Sequence, residues 1–173
     1  MLALFAGDVI APLSRVNGLA VLAVALIQGL RLAQWQSLRT WRDPLVWVLH
    51  LGYAWLVLGL LLKATLLLAA APWSDKWIHA LTAGAFTTMI LAVMTRASLG
   101  HTGRALIATR PMALCYALIS IAALVRVFAP AAFPSHYEAI ITTSALLWMA
   151  AFGIFLRTFA PILCKPRADG RPD

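Results

Sequence analysis

The chain has 173 residues, of which 62% are hydrophobic and 12% charged, and its 14 Lys+Arg against 6 Asp+Glu give a formal charge of +8. Soluble domains carry roughly 45–50% apolar and about 25% charged residues; a mean hydropathy of +0.87 is more than a single soluble core of this size can hide, so lipid must be the solvent. The basic excess does not indicate nucleic acid, because no basic cluster stands beside a recognition motif; the cations flank apolar runs, where they sort topology and meet lipid headgroups.

Only helices or a closed barrel satisfy the backbone in hydrocarbon, and the apolar runs here are continuous rather than alternating. The fold class is therefore all-α, a polytopic transmembrane bundle of about five helices. Residues 1–16, broken by Asp8, Pro12 and Arg15, lack a basic leader followed by a cleavage site and read as the remnant of a preceding helix. The first span is predicted at 17–32, with Arg31 snorkelling at its end. Leu32, Trp35, Leu38 and Trp41, spaced by three among Arg31, Arg39 and Arg42, suit a helical segment lying in the interface.

The second span, 45–71, has two strongly polar side chains, His50 and Lys63, the latter expected to snorkel toward the headgroups. Pro72, Trp73, Ser74 and Asp75 make a tight turn, and Ser74 or Asp75 is expected to cap a third span at 77–97. Within it Ala80, Gly84 and Thr88 form a small-residue stripe that favours close helix contact. A polar loop, SLGHTGRALIATR, leads to Pro111 at the start of a fourth span, 111–128. A fifth span at 137–159 precedes a polar tail, 161–173, expected to be disordered and cytoplasmic. Alternating span direction puts Arg31, Arg39, Arg42, Arg96, Arg104, Arg110, Arg157, Lys165, Arg167 and Arg171 on one face, against Arg15, Lys76 and Arg126 on the other. The first face is expected to be cytoplasmic.

Ionisable groups inside a membrane are costly, which makes the four histidines the leading site candidates. If the third span is continuous, the 22 residues from His79 to His101 separate them by roughly 33 Å at ~1.5 Å per residue, too far to share a metal. His50 and His101 lie toward the arginine-rich face, and His79 and His136 toward the other, so two imidazole pairs are conceivable. Neutral imidazole is the usual axial ligand of haem and a common copper ligand, while hydrogen-bonded packing is the bland alternative for each and His136 fits a solvated loop. Tyr53, three residues after His50, suits a partner to that ring. Arg96 suits either a haem propionate or a headgroup. Met89, Met94 and Met112 suit soft copper ligation or, more simply, core packing. Cys115 and Cys164 match no zinc or disulfide framework, and with no CxxCH any haem is non-covalent.

Two stretches carry a family resemblance: HALTAGAFTTMILAVMTRASLGHTGR from His79 to Arg104, and DPLVWVLHLGYAW from Asp43 to Trp55. Together they closely resemble the NnrS family of bacterial membrane proteins. The resemblance implies a multi-pass inner-membrane protein containing haem b and copper, associated with denitrification, nitric oxide metabolism and resistance to nitrosative stress. It implies cofactor roles for His50, Tyr53, His79, Arg96, His101 and Arg104, with His50, His101 and His79 as metal ligands, and does not assign iron or copper among them. Family members are about twice this length, and the resemblance covers their C-terminal half. A truncated product, a separately encoded half completed by an N-terminal partner, and a short homologue that forms a homodimer all fit. The expected function is that of a haem-binding membrane protein acting on, or protecting against, nitric oxide. The rivals are a transporter half or metal and haem assembly factor, and a di-haem electron carrier.

Overall fold

A computed structural model describes residues 7–40 and 42–170. Trp41 and Arg171, named above, and the first six residues of the N-terminal segment lie outside them.

Among the described residues, five helices are long and apolar enough to cross a membrane. Helix α1 is Arg15–Gln34, capped by the Ser14 hydroxyl, which accepts from the Asn17 N–H. Helix α2 is Pro44–Ala69, where Pro44 sits at the first position, which needs no N–H, and the Asp43 carboxylate accepts from the Leu45 N–H at 3.0 Å. Helix α3 runs through Trp77–His79, a wider-wound stretch Ala80–Phe86, and Thr87–His101. Helices α4 (Arg110–Ala132) and α5 (Tyr137–Leu163) complete the bundle.

Several boundaries differ from those read off the sequence. Neither Ser74 nor Asp75 caps α3: the Ser74 hydroxyl donates to the Ala71 carbonyl at 2.6 Å, and Asp75 pairs with Lys76. After α1, Gln36 takes a left-handed φ of 51° and only a single turn, Ser37–Arg39, follows. An interfacial helix is thus reduced to one turn, and Trp35 faces inward instead. Residues 161–163 continue α5, and the polar segment expected to be disordered folds back as far as residue 168 onto the end of α3, where the Ala168 N–H donates to the Thr102 carbonyl at 2.9 Å.

Helix α2 is the spine. It packs on α1 through Val21, Ala25, Leu60 and Ala64, and on α3 along its other side. One buried cluster, with Leu45, Leu91, Tyr116, Ile119 and Phe155, fills the arginine-rich end between α2, α3, α4 and α5. A smaller one, with Trp55, Leu62, Ala80 and Val127, fills the opposite end. The α2–α3 seam is interlocked: a Cβ on Gly59 would lie 2.5 Å from Leu81, and one on Gly84 would lie 2.5 Å from Trp55. The small-residue stripe Ala80, Gly84, Thr88 is wholly buried there, as its spacing predicts. The wide turns of α3 fall where Trp55 presses on Gly84, and the Thr87 hydroxyl donates to the Thr82 carbonyl at 2.9 Å. Such local widening of a helix is common where residues are re-aimed for function.

Candidate functional site

At the arginine-rich end, α1 finishes, α2 begins, and the turn Ser37–Arg39 bridges them. His50, six residues into α2 and half-buried, lies in the recess so formed. Its Nδ1 is 3.4 Å from the Thr40 hydroxyl, and its ring is 5.4 Å from that of Trp35. Trp35 also stacks at a tilt on Tyr53, with centroids 4.6 Å apart, and the Tyr53 hydroxyl donates to Gln28 Oε1 at 2.6 Å. The expected partnership of Tyr53 with His50 is therefore indirect, through the shared wall of Trp35. No hydrogen bond among the described residues engages His50 Nε2, so one imidazole nitrogen is held and the other is uncommitted. A groove of about 490 Å³ at this end of α1 is lined by Gly29, Leu32, Ala33 and Arg39 among others, and by none of His50, Trp35, Thr40 and Tyr53.

Arg96 reaches this end from α3 and donates to the Leu45 carbonyl at 3.1 Å, tying the end of α3 to the first turn of α2. No hydrogen bond or ring contact among the described residues connects His101 with His50. His101 is exposed, and its carbonyl accepts from Arg167 at 3.0 Å. The HTGR motif is the terminator of α3. The Thr102 hydroxyl donates to the Ser98 carbonyl at 2.6 Å, Gly103 takes φ 67°, and the Arg104 N–H returns to the Leu99 carbonyl at 2.9 Å. Arg104 turns its guanidinium onto the Thr102 carbonyl.

The other end holds His79, half-buried in a pocket of about 290 Å³ between α3, α4 and α5, facing Arg126, Ser144 and Trp148. His136 is exposed beside Ser135 and does not line that pocket. The six residues singled out by the sequence thus fall into three places: the recess of His50 and Tyr53 with Arg96 nearby, the α3 terminator of His101 and Arg104, and the His79 pocket.

The family model described as NnrS protein matches residues 1–167. The chain belongs to the NnrS family. Membership marks it as a nitric-oxide-related membrane protein, in accord with the five apolar helices. No curated protein and no solved structure matches it.

Sequence reasoning missed one polar node of this NnrS chain. Lys63 does not snorkel: its side chain is 9% exposed, its Nζ meets both Asp8 oxygens at 2.5 Å, and it lies 4.5 Å from the centre of the Trp77 ring. Asn17 donates to the same carboxylate at 2.8 Å. Partial burial alone would raise the Asp8 pKa, but the hydrogen bonds from Lys63 and Asn17 and the Lys63 charge outweigh it and hold the carboxyl below its ordinary value. Nothing in the sequence pairs residues 55 positions apart; the signal was only that a lysine inside a span needs a counter-charge. Among the described residues of the NnrS chain, no group of three or more His, Cys, Asp or Glu side chains is placed to hold a metal. Met89, weighed as a soft ligand, packs on Gly52, and the Met112 sulfur accepts from the Thr109 N–H.

Proposed function

We propose that the chain binds haem b at the arginine-rich end through His50 and acts in nitric oxide metabolism or resistance to nitrosative stress. The observation that carries this reading is the recess itself: a half-buried imidazole positioned on one nitrogen by Thr40, walled by Trp35, and uncommitted on the other. Haem needs from the protein one such nitrogen, flat apolar walls, and cations for its carboxylates. Trp35 offers one such wall beside His50, and Arg39, in the turn just before Thr40, is the candidate cation. An imidazole with one nitrogen uncommitted, an aromatic wall and a nearby cation support the reading. Bound haem iron supplies a coordination position for diatomic molecules. The chain's part is to hold the imidazole, keep its tautomer through Thr40, and fix Trp35 by stacking it on a Tyr53 that Gln28 anchors.

Copper fits less well. A protein copper centre takes several nitrogen or sulfur donors, and among the described residues no three or more His, Cys, Asp or Glu side chains gather to hold a metal. His101 and His79 enter the proposal as controls, since they lie outside the recess.

The test is haem quantification with a reduced-minus-oxidised spectrum of the purified full chain and of His50→Ala, His79→Ala and His101→Ala. A stoichiometric chromophore that His50→Ala alone abolishes is expected. A chain that takes up no haem during expression with haem supplied belongs instead with non-catalytic transport or assembly components.

A further inference from the structure

At the end of the bundle away from His50, α4 carries Arg126 six residues before Ala132, about 9 Å inside the helix end at ~1.5 Å per residue. The side chain is half-buried, and no hydrogen bond or ion pair among the described residues engages its guanidinium. A guanidinium at that depth is costly without an acceptor. Among the described residues the surroundings offer it no anionic partner. Asp75, whose charge reaches His79, is paired with Lys76, and Glu138 at the start of α5 makes no ion pair with Arg126.

The pocket in front of Arg126 is rich in unspent donors. The Thr82 and Ser144 hydroxyls have given their protons to the Ile78 and Ala122 carbonyls, so they present only lone pairs. That leaves the five N–H groups of Arg126, the indole N–H of Trp148 and one ring N–H of His79, all on residues lining the same cavity of about 290 Å³. Its net charge is positive, because Arg126 and Lys76 face His79 with one carboxylate between them. A space that gathers donors, lacks an accessible counter-charge and opens near the headgroup level selects an oxyanion.

We infer that the α3–α4–α5 pocket is an oxyanion-binding site in which Arg126 supplies the charge and His79 and Trp148 complete the donor set. Two sources share that chemistry, a lipid headgroup phosphate and a small free oxyanion. The site is separate from the His50 recess, and its test does not read haem.

The full chain in neutral detergent is titrated calorimetrically with nitrite and, separately, with inorganic phosphate. In a second arm it is reconstituted in nanodiscs of phosphatidylcholine with or without phosphatidylglycerol, and retained lipid is counted by native mass spectrometry. Saturable one-to-one binding in either arm, weakened about tenfold or more by Arg126→Gln, is the expected result. Binding in the lipid arm alone assigns a headgroup, and binding in the titration alone a free oxyanion. If Arg126→Gln fails to give a monodisperse protein, Ala145→Leu, which keeps the guanidinium and narrows the pocket, takes its place with the same expectation. Absence of saturable binding in both arms, or affinities for the folded variant within about twofold of the parent chain's, overturns the site.

Discussion

Lys63 and Asp8 show how unequal the two halves of an intramembrane ion pair are. Asp8→Asn strands an ammonium that is 9% exposed, whereas Lys63→Met leaves a carboxylate that is 39% exposed and free to turn toward water. Removing one member of a fully buried pair costs roughly 3–5 kcal/mol; the exposure of Asp8 discounts that to about 2 kcal/mol for Asp8→Asn and to under about 1 kcal/mol for Lys63→Met. Thermal unfolding in detergent is expected to rank them in that order, and the reverse order contradicts the pairing. The pH dependence follows from the depressed folded-state pKa of Asp8 relative to its ordinary 3.8. The pair's stabilisation is complete above the unfolded value and is lost as pH falls through the lower folded value. The wild-type chain is therefore expected to lose stability more steeply than Asp8→Asn in acid below about pH 4, a difference that a melting series across that window measures.

At the scale of elements, α3 carries two tests of how the bundle is locked. Gly84→Leu forces a side chain into the face of Trp55, where even a Cβ would lie 2.5 Å from the ring, and is expected to cost roughly 1–3 kcal/mol by overpacking. Gly103→Ala meets a left-handed φ of 67° and a Cβ position 2.5 Å from the Asp169 carboxyl carbon, for about 1–2 kcal/mol. Its more specific consequence is release of the tail from the α3 terminator. Tryptic cleavage after Arg167 is expected to quicken in Gly103→Ala while the bundle stays resistant, and an unchanged cleavage rate would show that the tail is not held there. The five spans were legible because each is an apolar run flanked by cations, Pro or a capping residue such as Ser14 or Asp43. What escaped was tertiary in origin. The wide turns at Ala80–Phe86 answer to Trp55 on another helix, and the polar run after residue 97 continues as helix because Thr102 and Gly103 supply its terminator.

For the whole molecule, the spacing of His50 and Tyr53 put their side chains on adjoining faces of one helix, and both rings meet Trp35, with Tyr53 bonded to Gln28 rather than to His50. The sequence did not foresee that Trp35 and Thr40 close the recess of His50, because this depends on the chain breaking at Gln36 and turning back along α2. Arg126 was counted only as a charge sorting topology, and its lack of a counter-ion is visible only once α3 and α5 surround it. The strong excess of cations at the end that holds His50 predicts a cytoplasmic orientation for that end and for the C-terminus. A reporter fused after Asp173 is expected to read as cytoplasmic, and a periplasmic reading reverses the assignment of both ends. The proposed haem site stands or falls with His50. Haem bound per chain, compared between the wild type and His50→Ala purified in parallel, tests it most directly: about one haem against less than about a tenth is the expected result. Equal haem content and identical spectra in the two proteins would contradict it.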